Sequence, residues 1–236
     1  MNSIMSSQPS NPSVTVPDAR NSSLQVLESY AGDRSELARL VERSLADPVL
    51  SRMTEVDEFR FKFVLRDELE SGFRLRLHVW RDKVTDTPHS HRFNFATMVL
   101  AGGMTHYVHA PNQDLYPEGI SDFYDTHIPI TDERVSGLID PSKFSTEMAF
   151  PVVAGSAYFQ SSSVMLTSTT VEPGTITLFV RGPAVRPCAF QWHPDQQTVV
   201  WRAGTAHAPA SRRTEVAVSQ ADIDHALDRI RAIGIK

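Results

Sequence analysis

The chain alternates strictly across two adjoining stretches. In EFRFKFVLR, Phe59, Phe61, Phe63 and Leu65 are spaced by mostly charged residues, and FRLRLHVWR repeats the rhythm with Phe73, Leu75, Leu77 and Val79. A period of two puts successive side chains on opposite faces of a strand, so each stretch predicts a strand with one buried and one wet face. The intervening ELESG supplies a turn and makes the pair an antiparallel hairpin. A second hairpin is expected to turn at Gly102-Gly103. Further strands are predicted at AFPVV, AYFQ, SVMLTSTTV, TITLFVRGP and TVVWRAG, separated by Gly and Pro punctuation.

The period is helical only at the two ends. Leu37, Leu40, Val41 and Leu45 recur at three and four, with Asp33 or Ser35 as the cap and Pro48 as the stop. Near the C-terminus Ile223, Leu227, Ile230 and Ile233 mark a helix over about 219–234, capped by Ser219. Short strands with helices kept to the ends predict a mostly β fold, a closed sandwich or barrel. The polar, Pro/Ser/Asn-rich residues 1–20 read as a disordered tail, and 21–236 as one domain with its barrel core at about 57–205. Residues 110–148 are long, polar and irregular, an excursion over one mouth of the sheet or a set of short edge strands.

Composition narrows the function. A net charge of −5 and a pI near 6.0 lack the basic excess of a nucleic-acid footprint, so a small molecule is the expected partner. Cys188 is the only cysteine, which rules out an intrachain disulfide and fits a cytoplasmic location. No apolar run reads as a leader or a membrane span. Exposed strand edges in a fold of this kind are commonly covered by dimerisation, so a homodimer is the expected assembly.

The chemistry centres on TPHSHRFNFATMVLAGG. His89 and His91, two apart on a strand, reach the same face and so can address one point, as two imidazole ligands must. Pairing across a Gly102-Gly103 turn would set Ala96 opposite His109, which then either completes a three-histidine site or sits at the rim. Tyr107 is the next residue on that face, and His106 would point outward. Tyr158 and Gln160 share a face and could donate hydrogen bonds. Arg181, two residues beyond Phe179, either clamps a substrate carboxylate or ends its strand in water.

The His-x-His pair followed by the glycine turn, with a later strand and Pro173-Gly174, resembles the cupin superfamily, and within it the cysteine-dioxygenase-like branch. The resemblance covers about residues 57–205 and implies a single cupin-type jelly-roll barrel. It further implies a non-haem Fe(II) oxygenase, or another divalent metal in the same place, acting on a small polar carboxylate-bearing substrate. Metal ligands would be His89, His91 and His109; Tyr107, Tyr158 and Arg181 would serve catalysis. Two departures stand out. The cupin glutamate position falls at Ala96, and the branch's third histidine falls at Thr167, whose neutral hydroxyl is a poor ligand for such metals. The alternatives are an isomerase, lyase or cyclase using histidine acid–base chemistry without a redox metal, and a non-catalytic small-molecule-binding cupin.

Overall fold

The computed structural model describes residues 16–56, 59–68, 70–111, 134–138, 144–162, 166–186, 188–193, 198–203 and 219–235. Most of the irregular 110–148 stretch therefore lies outside the described residues, as do residues 1–15 and 204–218. The remainder is mostly β, with helices at the ends.

Two helices open the chain, α1 (Val16–Gly32) and α2 (Arg34–Ala46). Helix α1 thus includes the last residues of the segment read as a disordered tail. Between the two helices Asp33 takes the cap role, its carboxylate accepting the Glu36 N–H at 2.9 Å. That bond satisfies an orphan donor of the first turn. Asp33→Ala is expected to cost about 1 kcal/mol of unfolding free energy, measured by urea titration. Leu37, Leu40 and Val41 are buried as their spacing predicts.

The predicted first hairpin forms. Strand β2 (Arg60–Glu68) pairs antiparallel with β3 (Phe73–Trp80), and the short β1 (Glu55–Val56) adds to its outer edge. Gly72 closes the turn at φ +69°, where a Cβ would lie 2.6 Å from the Pro183 backbone. After a short β4 (Val84–Thr85), strands β5 (Phe93–Ala101), β6 (Gly103–Pro111), β7 (Arg134–Leu138), β8 (Phe144–Val153), β9 (Ala157–Gln160), β10 (Leu166–Val171), β11 (Ile176–Ala184), β12 (Cys188–His193) and β13 (Thr198–Ala203) follow. The chain ends in α3 (Gln220–Ala232), capped by Ser219 as expected.

One sheet runs β1-β2-β3-β11-β5-β9; a second layer is made of β4-β10-β6-β8 and β12-β13-β7. His89 joins the two ladders of the second layer, bridging Thr167 of β10 on one side and Gln191 of β12 on the other. All the pairings are antiparallel.

The second predicted hairpin does not form. Strand β5 pairs with β11 and β9, whereas β6 pairs with β10 and β8. Both edges of β5 are already occupied, so the chain cannot fold back on it. Gly102, at φ +74°, instead carries the chain from one sheet into the other. Its missing side chain leaves room for Thr175: an added Cβ would stand 2.5 Å from the Thr175 hydroxyl, which accepts from the Gly103 N–H at 3.1 Å.

The faces of the first sheet are also distributed differently from the alternation's reading. Phe61, Phe63, Leu75, Leu77, Ala96, Leu178 and Val180 pack together with Leu27, Leu37, Leu40 and Ile230 of the helices. The large apolar core is therefore between this sheet and the helices. Most charged positions between these residues are only partly wet, Lys62 and Arg74 among them, while Arg66 is exposed. Their face looks across to the second layer, as Trp80 and Val99 show by packing with Met104, Val152 and Val171. The space between the sheets is consequently lined by polar as well as aromatic side chains.

Candidate functional site

His89 lies on the short segment between β4 and β5, and its backbone exchanges both hydrogen bonds with Thr167 at 2.9 Å. Opposed residues share a face, so His89 takes the facing of Thr167. His91 lies outside the strands rather than on one as the sequence suggested, yet the pair comes together: their ring centres are 4.7 Å apart. His91 also stands 4.5 Å from Phe95, which continues to Phe179 at 5.1 Å.

The face of β6 that points inward is the opposite of the one expected. His106, expected to point outward, is buried and stacks 4.6 Å from Tyr158. Its Nδ1 lies 3.2 Å from the Thr169 hydroxyl. Tyr107 and His109 occupy the other face. His109 is held there by the hydroxyls of Ser168, 2.8 Å from Nε2, and Thr146, 3.2 Å from Nδ1. The physical reason is the register. Ala96 lies opposite Phe159 and Val180 rather than His109, and β6 takes its facing from Thr169↔His106. Tyr158 and Gln160 do line the inner face, opposite Thr97 and Phe95.

Each side chain's protonation follows from its surroundings. Burial holds His91 well below the usual imidazole range, with His89 and His106 adding repulsion. Burial likewise holds His106 down to about 4. Both rings are neutral at neutral pH. Burial pushes the Tyr158 phenol up, so it keeps its proton. Asp86, beside His89 with Oδ2 4.0 Å from Nδ1, is raised by burial while the His89 charge and the Thr169 N–H bond pull it back. His89 itself is tied down by one contact: its Nδ1 meets the Thr87 carbonyl at 2.8 Å. A carbonyl can only accept, so Nδ1 carries the hydrogen and Nε2 presents a lone pair.

The donor set can be tested against a metal. Two imidazoles bound to one ion at about 2.1 Å would place their ring centres roughly 4.5–5.5 Å apart, so His89 and His91 fit as two ligands. No third follows. The hydroxyl of Thr167 accepts the Gln160 amide at 3.1 Å, and His109 faces the other way. Among the described residues no three His, Cys, Asp or Glu side chains converge in a metal-holding group. The residues present do not complete the three-histidine iron site that the resemblance implied.

Arg181 is brought near this region rather than into it. Its guanidinium lies 4.9 Å from the centre of the Phe93 ring, and Phe93 is 5.8 Å from His91. Two residues of the same inner face, Arg76 and His78, were not singled out from sequence. The available signal was RLRLH itself, a row of basic residues on alternate positions beside a fully apolar face. In a two-layer fold such a row is enclosed rather than exposed.

No family model matches the chain, and no curated protein matches it. The solved structures to which it is similar are cupin-fold proteins. An RmlC-like cupin from Shewanella frigidimarina is 12% identical, covering 55% of this chain and 81% of its own, at a TM-score of 0.34. A protein of unknown function with a cupin-like fold from Ralstonia eutropha is 11% identical over 74% of each chain, at 0.35. The polyketide cyclase RemF from Streptomyces resistomycificus is 15% identical, covering 58% of this chain and 76% of its own, at 0.34. Among the described residues no helix is long and apolar enough to cross a membrane.

Proposed function

We propose that the chain is an enzyme of the isomerase, lyase or cyclase type, moving a proton on a small planar organic molecule held between the sheets, with His89 as the base. One observation carries this reading: the 2.8 Å contact from His89 Nδ1 to the Thr87 carbonyl, which fixes the tautomer with Nε2 free to accept. A base whose second nitrogen is held by a fixed acceptor is oriented before substrate arrives.

In the reaction, Nε2 takes a proton from an acidic C–H while Nδ1 keeps its own. The resulting imidazolium is faced by Asp86 Oδ2 at 4.0 Å. The electron pair left on carbon delocalises into an adjacent carbonyl, whose oxygen becomes negative. Tyr158 suits that oxygen: its phenol is held protonated by burial, so it can donate its O–H. His89 then returns the proton to a different atom, which completes an isomerisation. The neutral His91 and the phenylalanine rings exclude water around the pair.

The test uses phenylpyruvate, whose enol and keto forms differ in ultraviolet absorbance. Chelator-dialysed protein should accelerate tautomerisation, and His89→Gln should lower that rate about 10²–10⁴-fold. Tyr158→Phe should lower it roughly 10²-fold, with the pH profile unchanged. An equal rate in His89→Gln, or catalysis restored to dialysed protein only by Fe(II), would overturn the reading.

A further inference from the structure

The inner face of the first sheet holds a group of buried donors without acceptors. Arg76 Nε, Arg181 Nε, His78 Nε2 and Trp80 Nε1 are enclosed and make no hydrogen bond. All four residues project from one face of the neighbouring strands β3 and β11, because Phe179 lies opposite Arg76 and Arg181 opposite Arg74. Buried polar atoms are normally paired, so four unpaired ones on one face call for a partner. The two arginine Nε–H groups and the indole N–H can only donate, so they call for an acceptor.

Charge sharpens the identity of that acceptor. Arg74 shares this face and is matched: Asp67 takes its Nε at 2.8 Å and its second nitrogen at 2.9 Å. Glu55 is matched to Lys62 at 2.8 Å. Among the described residues no carboxylate lies within ion-pair distance of Arg76 or Arg181. Burial holds both guanidinium groups down to about 10; Glu55 pulls Arg76 back up and Asp67 does the same for Arg181, against repulsion from the neighbouring arginines. Enclosing like charges this way is costly unless an anion joins them. Guanidinium is also the group whose paired donors match a carboxylate or phosphate fork.

The surface leading to this cluster is aromatic. Phe93 lies under Arg181, Phe179 is 5.5 Å from His78, and Phe95 connects Phe179 to His91. Along the row Tyr158, Thr97, Phe179, Arg76, each residue opposes the next on an adjacent strand. Three inter-strand steps of about 4.8 Å make the row about 14 Å long.

The geometry points to an anion-binding subsite formed by Arg76 and Arg181, which receives the carboxylate of a flat, ring-bearing small molecule whose body lies on Phe93, Phe95 and Phe179. The subsite stands whether or not His89 moves a proton.

Thermal unfolding in the presence of benzoate, benzamide or inorganic phosphate at constant ionic strength tests it. Benzoate should raise the midpoint of the wild type in a concentration-dependent way, since a ligand of the folded state stabilises by mass action. Benzamide, the neutral isostere, should not. Arg76→Gln and Arg181→Gln should each weaken benzoate about ten- to a hundred-fold, and Arg181→Lys should restore part of it. Wild type that binds benzoate yet fails to accelerate phenylpyruvate tautomerisation separates failure of the proton-transfer reading from failure of this subsite. Phosphate acting in place of benzoate, and lost in Arg76→Gln, keeps the anion site but overturns the ring-bearing ligand. No shift with either anion, or an undiminished benzoate shift in both glutamine variants, overturns the subsite.

Discussion

Acidification from about pH 7.5 to about pH 5 is expected to lower stability through buried histidines, and His106, held down to about 4, alone accounts for about 2 kcal/mol of the loss. His78, His91 and His106 are all held below the ordinary imidazole value of 6.5, and burial is the largest cause in each. In the unfolded chain each takes up a proton near its ordinary value. In the folded chain each resists until the pH is far lower. The unfolded state therefore binds more protons across this window, so stability is fully present above pH 6.5 and is lost as pH falls. His78 and His91 act in the same direction as His106. Asp86 works in the opposite sense, because burial raises its carboxyl, and offsets part of the sum. Urea midpoints at the two pH values measure the loss. His78→Leu isolates one share: its Nε2 is enclosed without a partner, so the leucine removes both the orphan and the titration. The variant should lose less stability on acidification than the wild type. A pH-independent midpoint, or an unchanged dependence in His78→Leu, would mean these rings are wetter than their surroundings imply.

The sequence carried the local elements well, because each rests on short-range rules. The β2–β3 hairpin, the Asp33 and Ser219 caps and the terminal helices all follow from period and capping chemistry, and all are present. What lay across from each face was not legible. Alternation in RFKFVLR says that two faces differ, and it cannot say whether the charged one meets water or a second sheet. Here it meets the second layer, and Arg76 and His78 became part of an enclosed wall. The same limit explains His109. The face of a strand in β6 depends on which strand pairs with it, and Gly102-Gly103 looks like a hairpin turn whether or not the chain folds back. His89 and His91 come together as two neighbouring histidines can, although on the segment between β4 and β5 and not on a strand. Tyr158 shares a face with Gln160 because that depends only on their spacing, while His106 was assigned to the wrong face because its facing depends on β10.

The inversion of faces makes a large prediction about stability. If the main apolar core lies under the helices, Phe63→Ala should cost about 3–5 kcal/mol, as for a buried aromatic truncated in a packed core. Phe63 is fully buried, stacks with Phe61 at 6.3 Å and belongs to the cluster that contains Leu27, Leu37 and Leu40 of the helices. Its ring cannot be replaced by repacking of the sheet alone, because the residues on either side of it, Lys62 and Val64, point to the opposite face. The urea midpoint should fall with little change in slope, since the surface exposed on unfolding is nearly the same. The helices should loosen with it. Amide exchange in α2 should accelerate in Phe63→Ala more than exchange in β6 and β10, which are reached only across the polar space between the sheets. A loss below about 1 kcal/mol would show that the helices do not cover this face.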